Sequence, residues 1–538
     1  MPSKGGSFLL PSDAHLKNDR NTFPDNVTKI PLSCPTPIVL SGTFRQHTSV
    51  LASSPEQHAA TSDRTLYAEG PGAKGRFPFL EFALFRPTDI APLVFFRISF
   101  GLLMLIEVAA YTFSGYLHHH WVEPAIYFSY YGFGWISPPP GNWIYALTGV
   151  VMLSSIGIIL GLFYRLSAII FTLGFTWIFL VDQTNYLNHF YLICLLGMVS
   201  IFLPAHRALS LDVRRRPALR AQSVPAWTLH IIQAHMAIAY FYGGIAKLNP
   251  DWLHGEPIRT WFSTGRAARL LPDFGVLRTE PAFYFVSYSG LLIDLLMVPL
   301  LLWKRTRAFA LAVAISFHLA NFMIFNIGVF PFLSIALTLL FVAPKWHRKI
   351  LRLGPAQDLS SSRFTPNRWI TGALVAYLAF QLLFPFRHWL YPGEVHWTEE
   401  GHRFSWHMML RSKTGWSYFI VHDRPSGKLW RIDPPEILTR RQHRKMLGRP
   451  DMILQFAHHL RDQLAPRPVS VHAVASVQLN GRPHALIVNP EADLARIERN
   501  LQHADWILPM ENNRPIPGRF RFATPATIPE LRGKLREN

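Results

Sequence analysis

Between residues 88 and 386 the chain runs through nine apolar stretches: 91–112, 142–163, 167–181, 187–204, 227–246, 282–303, 308–326, 330–343 and 368–385. That series limits the possible folds more than any other feature. A helix needs ~20 apolar residues to cross the ~30 Å hydrocarbon layer. In lipid every backbone polar group must be satisfied internally, which makes such stretches helical. The expected fold is therefore an α-helical polytopic membrane protein of about nine spans. Two stretches are short, and 330–343 is read either as a span or as a re-entrant segment.

Charge agrees with this. Only 16% of residues are charged and 14% are aromatic, against roughly 25% charged in a soluble domain. The net charge of +20 raises the question of nucleic acid, but Lys and Arg gather between the apolar stretches, where membrane topology accounts for them. No nucleic-acid partner is expected. The loops 164–166, 205–226, 304–307 and 344–367 carry Arg165; Arg207, Arg214, Arg215, Arg216 and Arg220; Lys304, Arg305 and Arg307; and Lys345, Arg348, Lys349, Arg352 and Arg363. The alternate loops 113–141, 182–186 and 327–329 contain no Lys or Arg, and the longer 247–281 is exempt because long loops translocate regardless of charge. Cytoplasmic loops are the positive ones. The expected localisation is a bacterial inner membrane, with a cytoplasmic N-terminus and the region from 387 outside. A reporter active only in the cytoplasm, fused after Asn538, is then expected to be silent; a bright reporter means that the span count is off by an odd number.

Four regions follow. Residues 1–87, rich in Ser, Pro, Gly and Thr, are read as a disordered cytoplasmic tail, and 88–386 as the membrane region. Residues 387–510 are read as an extramembrane α+β domain. Trp416–Val421 and Leu429–Ile432 are strands around the turn Asp423–Gly427, and Val471–Leu479 and Pro483–Val488 form a hairpin about Asn480-Gly481. A helix opens at Asp451 with Ile453, Phe456, Leu460 and Leu464 on one face. Residues 511–538 are read as a loose basic tail.

The polar residues most suggestive of chemistry lie at outer span ends. Asn188 and His189 open one span, and Lys247 closes another just after Gly243-Gly244. Loop charges alone put them at one depth. Burial favours the neutral amine of a lysine, which is then a base near pH 7. The competing explanation is a lysine that snorkels to the interface. Arg97, Glu107 and Asp294 lie inside spans, where pairing across helices is the expected role. His318 and Asn321, three apart on one helix face, suit either ligand contact or an interhelical hydrogen bond. His118-His119-His120 do not converge on one face, and the two cysteines, Cys34 and Cys194, lie in a polar tail and an apolar run; no metal site is expected.

Several segments resemble the vitamin K-dependent γ-glutamyl carboxylase family, of the bacterial kind. They are Gly161-Leu162-Phe163-Tyr164-Arg165-Leu166-Ser167, Phe179 to Thr184, Asn188-His189, Ser210-Leu211-Asp212 and Tyr240 to Trp252. To these add Phe317-His318, Ile327 to Phe330, Phe404 to Met409, and Arg449-Pro450-Asp451-Met452. The likeness runs in order over roughly 88–510. It implies that reduced vitamin K (the hydroquinone) is oxidised to an epoxide by O2, and that the resulting strong base lets CO2 carboxylate glutamate side chains. Lys247 stands at the family's catalytic base and His189 at its active-site histidine. Asn188, His318, Asn321, Trp406, Met408 and Met409 are the implied or adjoining substrate-binding residues. The implied partners are the bilayer, a lipid quinol and a Glu-containing peptide or protein. Ala246 stands where the animal enzyme has a second lysine, His407 where it has an acid, Arg411 a histidine and Lys413 an arginine. Two alternatives stay open: a quinol epoxidase that carboxylates no protein, and a non-enzymatic lipid-binding or transport protein. The absence of an internal repeat speaks against a transporter.

Overall fold

The computed structural model describes residues 78–264, 268, 275–325, 327–355 and 362–537. Every one of the expected apolar stretches forms a helix: Ala91–Phe113, Trp143–Leu160, Tyr164–Val181, Asn188–Ser200, Trp227–Ala246, Glu280–Leu302, Arg307–Ile324, Phe330–Leu339 and Arg368–Leu383. The count of nine spans is not confirmed. Among the described residues six helices are long and apolar enough to cross a membrane, or seven if one bent pair counts as a span. The shortfall has local causes. Asn188–Ser200 has only 13 residues. Phe330–Leu339 is followed, after a bend of 119°, by Pro344–Ile350. Trp227–Ala246 is long enough at 20 residues but carries His230, Gln233 and His235. These polar groups serve the protein interior: His235 is buried and bonds the Tyr377 hydroxyl at 2.6 Å.

The loops gather at the two ends of the bundle much as their charge suggests. At one end Asp212 accepts the Phe163 and Tyr164 backbone N–H groups at 2.9 Å each. There too Arg97 donates to the Ala205 and Ala208 carbonyls, and Asp89 pairs with Arg348 at 2.5 Å. This end collects three of the positive loops. At the other end the C-terminal domain is seated on two of the Lys- and Arg-free loops, 113–141 and 182–186, and on the longer 247–281. Gln442 donates to Asp182 at 3.0 Å and to the Ile126 carbonyl at 2.7 Å, and Asn480 donates to Asp251 at 2.7 Å.

That domain is α+β. Its central strands, Lys413–Asp423 and Val469–Leu479, pair antiparallel from Lys413↔Leu479 to Asp423↔Val469. Leu429–Ile432 and Ala485–Leu486 extend the sheet on either side. The hairpin at Asn480-Gly481 turns because both residues take positive φ, 49° and 77°, the geometry that Asn-Gly favours. The helix Pro450–Leu464 lays Met452, Ile453, Phe456 and Leu460 on the sheet, with the Phe456 and Phe419 rings 4.8 Å apart.

Two boundaries need correction. The tail expected to be disordered through residue 87 lies mostly outside the described residues, but Pro78–Phe85 is a helix and Pro87–Asp89 pairs with Ser223–Pro225. The tail expected to be loose and basic is ordered: Thr524–Pro525 joins the sheet beside Leu429–Ile432, and the helix Ile528–Glu537 buries Leu531 and Leu535. Those two leucines lie four apart, on one helix face. The prolines and arginines around them hide that short signal.

Candidate active site

The helix Trp227–Ala246 ends at Lys247 because the next residues begin a new turn. Asn249 caps Pro250–Leu253 by accepting the Trp252 backbone N–H at 3.0 Å. Asn as cap with Pro in the first helical position is a favoured pairing. Asp251 then bonds Asn480 and Arg482, which ties this corner to the hairpin of the C-terminal domain. Trp252 donates its indole N–H to the Ser287 carbonyl at 2.8 Å. Its ring consequently lies beneath Lys247, with Nζ 5.0 Å from the ring centroid.

Lys247 is 6% exposed, so it does not snorkel. Its Nζ donates to the Asp294 carboxylate, from the helix Glu280–Leu302, and to the Gly243 carbonyl at 3.2 Å. The Trp252 face is the third neighbour of Nζ. The amine expected to stand alone therefore has a carboxylate partner across the helices. It also changes the reading of Asp294, whose cross-helix partner is the candidate catalytic residue itself. Gly243 is required by the crowding. A Cβ there would lie 2.9 Å from Asp294 Oδ2 and 3.0 Å from Met408 Cε. Met408, from the C-terminal domain, thus roofs the pair. We expect Gly243→Ala to fold yet lose about 10–100-fold in turnover by displacing Asp294 or Met408, since small misplacements at a reacting centre have effects of that order. Turnover within twofold of the parent would refute the close fit.

The two histidines frame one ring. His189 stacks on Phe330 with centroids 5.4 Å apart, and His318 meets the same ring edge-on at 6.1 Å. His318 Nε2 is hydrogen-bonded to the Tyr240 hydroxyl at 2.7 Å. His189 Nε2 and His318 Nδ1 are buried without protein partners. Asn188 uses both ends of its amide on the protein, accepting from Tyr186 at 2.9 Å and donating to the His407 carbonyl at 3.0 Å. It fixes the 399–410 loop, where Glu399, Gly401, Phe404, Trp406 and Met409 all take positive φ. Four of these are not glycine, and such strain gathers at ligand clamps. Trp406 is buried against Tyr191, with rings 5.1 Å apart and its indole N–H unpartnered. Met409 is 42% exposed, and Asn321 is half-buried one turn from His318; neither is drawn against the Lys247 pair.

Beside this loop lies a charged cluster that sequence reasoning missed. Glu399 accepts from Arg411 at 2.7 and 2.6 Å and from Lys413 at 2.8 Å. Burial opposes its charge, but Arg411, Lys413 and His402 together outweigh that and hold the carboxyl well below the usual range. Burial first, then the neighbouring Arg411, pushes Lys413 down to about 8. Lys445 is held well below the ordinary lysine value by burial and by Arg449, Arg441 and Arg411, while Arg449 faces Glu399 and Asp451. His402 and His407, joined by contacts to His388 and His396, are held well below the ordinary histidine value, mainly by burial. Tyr240 was readable in principle, since it lies seven residues before Lys247 on the same helix face. No one-dimensional signal brings Glu399 to Arg411 and Lys413.

The apolar helical bundle, with an α+β domain seated on one end, defines a polytopic membrane protein with an extramembrane domain. Residues 85–346 match the HTTM domain family, and residues 366–513 match the family described as vitamin K-dependent gamma-carboxylase, lumenal domain. The chain belongs to the vitamin K-dependent carboxylase family. No solved structure matches it.

Proposed function

We propose that this protein oxidises a reduced lipid quinone of the vitamin K type and uses that oxidation to carboxylate glutamate side chains. The observation that carries the reading is the dry Lys247–Asp294 pair at the bundle end that meets the C-terminal domain. Its position suits a quinol that enters from the bilayer and a peptide that enters from the aqueous side. The reduced quinone, once bound, supplies the reducing power: O2 oxidises it to the epoxide, with one oxygen atom kept and the other lost as water, and a γ-proton of glutamate is replaced by CO2.

The residues present suit a flat aromatic ring bearing hydroxyl groups. Buried polar atoms are normally partnered, yet His189 Nε2, His318 Nδ1 and Trp406 Nε1 are not. Around them Phe330, Tyr191 and Phe404 supply apolar faces. On the acceptor side, Lys413, Arg411, Lys445 and Arg449 exceed the single charge of Glu399, an excess that favours a substrate carboxylate. Epoxidation without protein carboxylation is the second reading, favoured by one observation: Arg411 and Lys413 are already engaged by Glu399.

The deciding experiment gives purified protein reduced vitamin K, bicarbonate and a Glu-containing peptide, and assays epoxide and carboxyglutamate separately. Both products support the carboxylase. Epoxide alone supports the second reading. Quinol left unchanged in oxygenated buffer, by protein that remains folded, rejects both.

A further inference from the structure

We propose that Gln381 is a positioning residue for the quinol ring, and that it acts through Tyr191, whose ring backs the Trp406 wall of the site. This rests on the quinol reading above and concerns what holds that wall in place. Trp406 is 1% exposed, and its indole N–H has no partner. Tyr191 lies against it with rings 5.1 Å apart, and against Phe404 with rings 5.0 Å apart. Both of those loop residues take positive φ. Asn188 and Tyr191 are three apart on one helix face. The start of the helix Asn188–Ser200 therefore grips the 399–410 loop twice, by a hydrogen bond and by a ring.

The Tyr191 hydroxyl donates to Gln381 Oε1 at 3.2 Å, from the helix Arg368–Leu383. Only one orientation of the Gln381 amide allows this, and a chain of polar groups selects it. His235 Nδ1 faces the Ile231 carbonyl at 2.7 Å. A carbonyl can only accept, so Nδ1 carries the ring proton, and in a neutral imidazole Nε2 then keeps its lone pair. The Tyr377 hydroxyl consequently donates to His235 Nε2 at 2.6 Å, and its oxygen is left to accept. Gln381, one helical turn beyond Tyr377, meets that hydroxyl with its amide. Turning the NH2 toward Tyr377 turns Oε1 toward Tyr191. Gln381 is 4% exposed and His235 1%, and at such depth an unpartnered polar group is costly. The chain from His235 through Tyr377 and Gln381 thus fixes the Tyr191 ring against Trp406.

Polar side chains also join membrane helices with no bearing on a substrate, and the two roles part on kinetics. A chain that only joins helices governs how much protein is active, hence kcat. A positioned wall governs how the ring is bound, hence KM. The test is epoxidation of reduced vitamin K by the full chain in detergent, beside a size-exclusion profile for each variant. Tyr191→Phe and Gln381→Met, both close in shape to the parent, should each raise KM roughly fivefold, the effect of one lost hydrogen bond, with kcat within about twofold. The double variant should match the singles, because both remove the same bond. Gln381→Glu should stay within about twofold of the parent, since a carboxyl that holds its proton in a dry site accepts from Tyr191 and donates to Tyr377. Tyr377→Phe, which lets the amide turn, should raise KM about twofold or more. Parental KM in both Tyr191→Phe and Gln381→Met, or in Tyr377→Phe, overturns the assignment. So does a double variant at the product of the singles, about 25-fold. Loss of kcat at constant KM overturns it as well, because that marks helix joining alone. A parent protein that forms no epoxide at all indicts the quinol reading instead.

Discussion

Lys247→Ala abolishes epoxide formation while leaving the protein folded and membrane-inserted: that is the expected result, with a loss of roughly 10²–10⁴-fold. The loss follows whichever member of the pair takes the proton. Without the ammonium, a deprotonated quinol has no counter-ion in a site where Lys247 is 6% exposed. Asp294, left alone and buried, is driven toward its neutral form and can no longer accept. That same neutralisation is why the fold should survive. The protein loses one ion pair but is not left with a permanent buried charge, and the nearby anchors of Trp252 on Ser287 and of Asp251 on Asn480 remain. The measurement is epoxide per minute in detergent for the parent and the variant, beside a size-exclusion profile for each. Lys345→Ala is the control: this lysine is exposed at the far end of the bundle, and its loss should change nothing. Epoxidation by Lys247→Ala within a few-fold of the parent would remove the pair from the chemistry.

How much of this was legible in the sequence varies with the range of the interaction that matters. The helices were legible because apolarity over about 20 residues is a local property, and the ends of the bundle because charge marks them. The number of crossings was not, because a segment such as Trp227–Ala246 owes its polar residues to partners elsewhere, Tyr377 for His235 among them. Lys247 stood out as an ionisable group at a span end beside two glycines. Its partner did not, since Asp294 lies 47 positions away on another helix. Asn188 was legible as a polar residue opening a helix, but that its amide holds the 399–410 loop depends on a partner 219 positions away. The C-terminal hairpin was readable from Asn-Gly alone, because its geometry is set by two residues. The 399–410 loop was not, because its positive φ values fall on Glu, Phe, Trp and Met, which carry no sequence mark of that conformation.

Glu399 gives the second large effect. Its side chain is 4% exposed and answers Arg411 and Lys413, which are 12% and 10% exposed. Glu399→Gln keeps the shape and removes the charge, leaving two cations facing each other with Lys445 and Arg449 close by. Breaking a buried pair from one side typically costs about 3–5 kcal/mol. We expect the unfolding midpoint of the C-terminal domain in urea to drop accordingly at neutral pH. The pH dependence separates this carboxylate from its histidine neighbours. Its folded-state value is depressed, so its contribution is present above the unfolded value of ~4.3 and is lost as pH falls through the lower folded value. Below the Lys413 value of about 8, the gap between parent and variant should therefore hold steady from about pH 7 to 5 and close only in stronger acid. His402 and His407 are also depressed, from an unfolded value of ~6.5. Below that value the unfolded chain binds protons that the folded domain refuses, so stability falls with pH in parent and variant alike. For two such groups the loss is about 3 kcal/mol by pH ~5.5, at 1.36 kcal/mol per unit each. Parallel decline of both proteins across a constant gap is the expected pattern. A gap that widens as pH falls from 7 to 6 would mean that Glu399 stabilises the domain chiefly by keeping a histidine charged, and not by holding Arg411 and Lys413.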